Sequence, residues 1–286
     1  MIGRKKIFFF VFTFSLIQST SLFSQPEEIF KKGKEMQNKN ELDSAYFYYT
    51  QYIRSEPDSA KGYNGRAAVC FMWGRYLEAI ADASESIRLD PKNGTYYTIR
   101  ATAYSMIDDF LAAAEDYRKA ILLEPNEPQH RLSLSGCYIR LNDPENFLQE
   151  TNEIIRLFPT YDEAYYNRAG YYIEYKNDTI AGLRDFETAI KVNPKNPKAW
   201  LARGTLYEYK KDWKRSNADF SQAIKLNPED PEAYLRRGVI YYNMDKYDKA
   251  RADLEKVIEL NKKLLIPVIE YQQKSLFYLE KVKEKK

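Results

Sequence analysis

Prolines punctuate this chain at a nearly constant interval. Pro57, Pro91, Pro125 and Pro159 follow one another at 34 residues, Pro194 comes after 35 and Pro228 after 34, and Lys262 holds the next such place. A proline lacks the N–H that a helix ladder needs and disfavours the helical conformation in the residue before it, so each one closes a stretch of helix. Within residues 197–230 the apolar spacing predicts two helices. Trp200, Arg203, Gly204 and Tyr207 share one stripe at i, i+3, i+4, i+7, and Trp213, Ser216, Phe220, Ala223 and Ile224 share a second, which Asn227-Pro228 ends. The polar run Tyr209–Asp212 turns the chain between them. A hairpin of two such helices buries too little apolar surface to stand alone and must stack on copies of itself.

The period divides the chain into seven units: 26–59, 60–93, 94–127, 128–161, 162–196, 197–230 and 231–264. In register they carry Trp200, Gly204, Tyr207, Phe220 and Pro228; Tyr63, Ala67, Ala79 and Pro91; Tyr97, Ala101, Tyr104, Ala113, Tyr117 and Pro125; and Tyr234, Gly238, Tyr241, Ala250 and Leu254. This pattern resembles the tetratricopeptide repeat family, with W-x2-L-G-x2-Y, then A-x3-F, then P; Arg203 and Ser216 depart from it. The resemblance implies an all-α fold, a right-handed α-solenoid of seven helix-turn-helix units. After the seventh, Pro267 is expected to start a capping helix over 265–286, with Val268, Tyr271, Leu276, Leu279 and Val282 as its apolar stripe.

Residues 1–24 stand apart. Arg4, Lys5 and Lys6 precede the mostly apolar run Ile7–Ile17, and Ser24 is a small residue at which cleavage leaves Gln25 as the new start. This reads as a signal peptide and predicts an exported protein, periplasmic or extracellular. An uncleaved membrane anchor is the alternative, although the run of 11 residues falls short of the ~20 that span a bilayer. Without Arg4, Lys5 and Lys6 the 44 basic residues fall to 41, equal to the 41 acidic ones. A near-neutral chain argues against nucleic acid as a partner, because phosphate binding needs a basic stripe.

Cys70 and Cys137 fall at nearly the same place two units apart, too far for a disulfide. Both are expected to be small buried apolar residues. His130 is the only histidine; with two distant cysteines it cannot build a zinc site, and it is expected on the surface. Asn93-Gly94-Thr95 and Asn177-Asp178-Thr179 are sequons that read equally as polar loop residues. Unit four departs most: Leu134 and Ser135 hold interfacial places, Phe147 replaces a small residue and Thr151 an aromatic one. A Phe where helices touch is expected to spread them. The extra residue of unit five is expected between Tyr172 and Gly182, at Asn177-Asp178.

An arginine recurs at the seventh place of five units (Arg66, Arg100, Arg168, Arg203, Arg237), and an aspartate at the twenty-third place of the same five (Asp82, Asp116, Asp185, Asp219, Asp253). The two places lie at similar height on antiparallel helices, so a repeated Arg–Asp pair is expected, within a unit or to the next one. The pattern reads as a stack of ion pairs that sets unit spacing, against a ladder of anion sites. Acidic pairs such as Asp108-Asp109 fall at helix starts, where they cap. No Gly-rich phosphate loop and no nucleophile motif appears, so neither an enzyme nor a cofactor or metal is expected.

Ten of the 25 tyrosines, Tyr63, Tyr97, Tyr104, Tyr117, Tyr138, Tyr165, Tyr172, Tyr207, Tyr234 and Tyr241, sit on packing stripes and read as core. On the other stripe of the first helices, at places two, five, six, nine, twelve and thirteen, lie Asn64, Met72, Thr98, Met106, Tyr166, Asn167, Glu174, Tyr209, Arg236 and Asn243. In the resembled family this stripe is the ligand-facing inner wall, and aromatic, Met and amide residues suit an extended peptide. Some members grip a terminal carboxylate with Lys, Asn and Arg. Asn167, Lys198 and Arg236 supply fragments of that set, but Leu132, Gly136 and Ala202 stand where it needs polar groups, so no such clamp is expected. The reading is a scaffold binding a protein or peptide partner in its concave groove, with membrane association only through a partner complex. The alternative is a pilotin-type or assembly factor of the cell envelope.

Overall fold

The computed structural model describes residues 25–264 and 267–285; the expected signal segment 1–24 lies outside the described residues. It belongs to the all-α helical-repeat solenoid class, with fifteen helices among the described residues. The helices are α1 (Pro26–Asn38), α2 (Leu42–Ser55), α3 (Ala60–Met72), α4 (Tyr76–Leu89), α5 (Gly94–Met106), α6 (Phe110–Leu123), α7 (Pro128–Arg140), α8 (Pro144–Leu157), α9 (Asp162–Glu174), α10 (Thr179–Val192), α11 (Pro197–Tyr209), α12 (Trp213–Leu226), α13 (Pro231–Asn243), α14 (Tyr247–Lys263) and α15 (Ile269–Lys283). The first fourteen form seven hairpins, one per sequence unit.

Local chemistry sets these boundaries. Asn93, Glu127, Asn196 and Asp230 accept from an early backbone N–H of α5, α7, α11 and α13, and Asp109, Asp143, Asp178 and Asp212 do the same for α6, α8, α10 and α12. Every hairpin turn contains one residue in the left-handed region: Asn40, Gly74, Asp108, Asn142, Asn177, Lys211 and Asp245, with φ between 50° and 77°. Asn, Asp and Gly tolerate that conformation, whereas Lys211 holds it at a cost. The extra residue of unit five lies in the turn 175–178, as expected; the corresponding turn 210–212 is one shorter.

The chain divides into two compact units, residues 1–91 and 92–286. In the first, Tyr49 packs with Ala45 and Val69, its ring filling the space beside Gly33 and Gly65. In the second, Phe147 is buried and stacks on Tyr171 of the next hairpin, ring centroids 5.8 Å apart. Ser216 donates to the Gly204 carbonyl at 2.9 Å, so this departure from the repeat pattern links α12 to α11. Tyr271, Tyr278 and Leu279 of α15 cover Leu235, Val239, Leu254 and Val257. The capping stripe differs from the sequence expectation. Helix α15 starts two residues after Pro267, because Asn261 clamps Val268 by N–H···Oδ1 (2.8 Å) and Nδ2–H···O (3.1 Å) contacts. The inward stripe of α15 runs through Tyr271, Ser275, Tyr278, Leu279 and Val282, at i, i+4, i+7, i+8 and i+11, and Leu276, five residues after Tyr271, falls outside it at 48% exposure.

The five Arg–Asp pairs form within hairpins. In each, Nε and Nη2 fork onto both carboxylate oxygens at 2.7–2.9 Å. The third arm of Arg66, Arg168 and Arg237 reaches back to Thr50, Asn152 and Ser221 of the preceding hairpin. Rings three residues before and four after the arginine flank the guanidinium: Tyr165 and Tyr172 lie 5.8 and 5.9 Å from Arg168, and Tyr234 and Tyr241 lie 5.7 and 5.6 Å from Arg237. Several tyrosines expected in the core, Tyr165, Tyr172, Tyr234 and Tyr241 among them, are therefore half-buried cladding on this ladder. Hairpin four rebuilds the pair with a glutamate at the aspartate's place and an arginine from the fourth place. Arg131 bonds Glu150 at 2.7 Å, and from hairpin three Arg118 reaches forward to donate to the Tyr138 hydroxyl at 2.9 Å.

His130 is a correction. It is buried, not on the surface: Nε2 lies 2.9 Å from Glu124 and Nδ1 3.3 Å from Thr98 Oγ1. Glu124 also accepts from the Thr95 N–H at 3.1 Å, so its carboxylate ties α5, α6 and α7 together. A side chain at the third place of a first helix points back between hairpins, and only polar neighbours there make a histidine acceptable.

Candidate functional site

First helices of consecutive hairpins present their second stripe to one another. From α7, α9, α11 and α13 this stripe encloses a cavity of about 1250 Å³. Gly136 and Ile139 come from α7; Tyr166, Asn167, Gly170, Ile173 and Glu174 from α9; Lys198, Leu201, Ala202, Thr205 and Tyr209 from α11; and Glu232 and Arg236 from α13. A second cleft of about 490 Å³ shares Tyr166, Asn167 and Lys198 and adds Asp162 and Glu163.

Of the residues expected on the inner wall, Tyr166, Asn167, Glu174, Tyr209 and Arg236 meet in this cavity. Thr98 and Met106 on α5 and Asn243 at the end of α13 do not line it. Thr98 is occupied by the Gly94 carbonyl and His130, Met106 is 51% exposed, and Asn243 is exposed. Asn64 and Met72 lie on α3 in the first compact unit. The Asn64 Oδ1 is buried without a partner among the described residues, and Met72 Sδ accepts from Gln37 at 3.8 Å.

Two of the groove residues differ from expectation in what holds them. Tyr166 is half-buried, packed on Phe186 with centroids 5.7 Å apart and touching two core clusters. It is wall and core together, because at the fifth place of a first helix the ring leans toward the neighbouring second helix. Tyr209 is 79% exposed and owes nothing to packing. Arg236 donates Nε to Glu232 at 2.8 Å and Nη1 to Glu208 at 3.0 Å, and Tyr271 of α15 donates to the other Glu232 oxygen at 3.4 Å. Burial works against its charge, but these two carboxylates outweigh it and hold Arg236 above the ordinary guanidinium value. Burial pushes the Tyr166 hydroxyl up, and Glu232 and Glu174 add to the shift.

The sequence reading missed Gly170, Ile173, Leu201 and Thr205 as groove residues; their signal was the same stripe at places five, nine and twelve. Gly136 and Gly170 occupy the ninth place of consecutive first helices, and a Cβ added at either meets nothing within 4 Å. They are not there for close helix packing. No group of three or more metal-ligating side chains occurs among the described residues, and none of their helices is long and apolar enough to cross a membrane. Both cysteines are free and buried, as expected.

Residues 231–264 match the family model described as tetratricopeptide repeat, and residues 209–245 match one described as TPR repeat. The chain is 33% identical over 72 residues to DnaJ homolog subfamily C member 7 of Mus musculus, a match covering 25% of this chain and 15% of the relative. It thus spans a small part of that relative's length. Among solved structures it is similar to a tetratricopeptide repeat protein from Parabacteroides merdae ATCC 43184, at 20% identity and a TM-score of 0.66, covering 88% of this chain and 98% of that one. A second similar structure is Pseudomonas aeruginosa pilF, at 15% identity and a TM-score of 0.61, covering 75% and 95%. At these identities the likeness is one of fold.

Proposed function

This chain is a tetratricopeptide repeat protein, and we propose that its protein-interaction scaffold holds an extended segment of a partner in the groove between α7, α9, α11 and α13. The observation that carries the reading is the cavity of about 1250 Å³. Its wall joins an apolar floor of Ile173, Leu201 and Ala202 to the amide of Asn167 and the exposed ring of Tyr209. An extended chain needs both kinds of group, pockets for side chains and partners for its backbone. The reading assigns no catalysis to the groove.

Residues 1–24 serve, in this proposal, as an export signal, placing the scaffold outside the cytoplasm. A basic start, an apolar run of 11 residues and a small residue at Ser24 support it. Mass analysis of the exported protein should find Gln25, or a residue close to it, at the amino terminus. Intact Met1 in a membrane pellet favours anchoring instead. A second reading, an envelope assembly factor docking through its second helices, is favoured by Leu111 and Ile180, which are 68% and 67% exposed at the same place of two hairpins.

The test compares affinity capture by the full chain with capture by Asn167→Ala/Tyr209→Ala. Loss of partners with an unchanged unfolding midpoint supports the groove. Undiminished capture by this variant, with loss in Leu111→Glu/Ile180→Glu, moves the binding surface to the second helices.

A further inference from the structure

We propose that the occupant of the groove is an extended segment bearing lysine or arginine, its cation held among Tyr166, Tyr209 and Glu174. The inference rests on the groove reading above and adds the chemistry of the partner. It starts from charge. The two clefts that share Tyr166, Asn167 and Lys198 are lined by five carboxylates, Asp162, Glu163, Glu174, Asp230 and Glu232, against two cations, Lys198 and Arg236. Arg236 is engaged by Glu232 and by Glu208, which sets that pair aside and leaves four carboxylates against Lys198. Asp162 and Asp230 have neutral partners, the Asn196 amide and the Glu232 backbone N–H, although burial pushes the Asp230 carboxyl up. Glu174 is exposed and has no ion-pair or hydrogen-bond partner among the described residues.

The aromatic groups fit the same occupant. Tyr166 and Tyr209 line the cavity with Glu174, and a cation beside an aromatic face and a carboxylate gains from both. The chain already makes such a contact at this edge, with Lys176 Nζ 5.7 Å from the Tyr171 ring, which itself stacks on Tyr175 at 5.5 Å. Room is provided by Gly136 and Gly170. Glycine inside a helix destabilises it relative to alanine, and neither residue has a packing neighbour that excludes a Cβ. Their bare backbone widens the cavity where the α7 and α9 walls face it. An acidic segment fits poorly, since among the described residues Lys198 is the one cation lining the two clefts that no carboxylate there engages, and Gly136 and Ala202 add none.

The experiment measures binding of the full chain to two fluorescent, end-capped peptides of equal length, one alternating lysine with leucine and the other glutamate with leucine. The lysine peptide should bind about tenfold or more tightly than the glutamate peptide, and the preference should shrink as salt is added. Glu174→Lys, at an exposed side chain with no partner, should weaken the lysine peptide about fivefold. Gly136→Leu/Gly170→Leu should abolish binding of the lysine peptide while leaving the unfolding midpoint unchanged or higher, because the new side chains enter open space. Tighter binding of the glutamate peptide, or no response to Glu174→Lys, overturns the charge assignment while the groove stands if the leucine variant still blocks. Binding that survives the leucine variant overturns the site. If neither peptide binds, the inference fails, and the capture experiment with Asn167→Ala/Tyr209→Ala decides the groove reading separately.

Discussion

Arg203 donates Nε and Nη2 to the two oxygens of Asp219 at 2.8 and 2.9 Å, tying α11 to α12 through a planar fork. Asp219 is 6% exposed at its side chain and Arg203 18%, so the pair sits in a low-dielectric seam. Removing one partner strands a buried charge and costs about 3 kcal/mol or more. Asp219→Ala should therefore lower the urea unfolding midpoint more than the double replacement Arg203→Met/Asp219→Leu, which strands nothing. Arg203→Lys keeps the charge but loses the fork, and should fall between wild type and Asp219→Ala. Equal midpoints for the single and double variants count against a structural role for the ladder.

Gly204 lies where α11 and α12 touch. A Cβ there lies 2.8 Å from Phe220 Cε1 and 3.1 Å from Asp219 Cβ. Gly204→Leu should destabilise by about 3 kcal/mol or more through overpacking, while Lys210→Leu, at an exposed turn, should change stability by less than about 0.5 kcal/mol. Gly170→Ala should raise stability by roughly 0.5–1 kcal/mol, because its Cβ meets nothing. The three variants together separate glycines kept for packing from those kept for the groove.

Lys211 has φ 57°, where the other six hairpin turns place Asn, Asp or Gly. A side chain with a Cβ and no local hydrogen bond to offer is strained there. Lys211→Gly or Lys211→Asn should stabilise by about 1 kcal/mol, read as a higher unfolding midpoint with unchanged helicity. A loss of stability in both variants means that the lysine makes a compensating contact.

Burial pushes the Cys70 thiol up to about 12, and Cys137 is also raised, first by burial. At pH 8 a thiol with that value is thiolate in roughly one molecule in ten thousand, and the thiolate is the reactive form. Neither cysteine should label in the native protein at pH 8, and both should label once it is denatured without reductant. A protected pair in the denatured chain contradicts the free thiols and the register of the repeats.

The period, the hairpins and the Arg–Asp ladder were legible in the chain because each rests on a regularity that recurs in several copies. Repetition tells a stacking residue from a chance one: five arginines at one place and five aspartates at another predict their pairing before any distance is known. Residues that occur once carry no such signal. His130 looked like a surface histidine, since nothing in the sequence announces that Glu124, just past the end of α6, and Thr98 of α5 converge on it. Tyr166 looked like free groove wall, and its lean onto Phe186 depends on how α9 and α10 cross. Leu276 was expected inside, but it lies five residues after Tyr271, off the stripe that Tyr271, Ser275, Tyr278, Leu279 and Val282 turn toward α13 and α14.

What the amino-acid order determined by itself was the repeat, its helices and the Arg–Asp pairing of five hairpins, and that this pairing closes within a hairpin was left to the structure. The repeat and its helices follow from helical period and turn length. Only tertiary structure decided which stripe residues share a cavity, which glycines face open space, and how the carboxylates outnumber the cations there. Those properties belong to faces of separate hairpins brought together, where side-chain volume and charge from four helices add up.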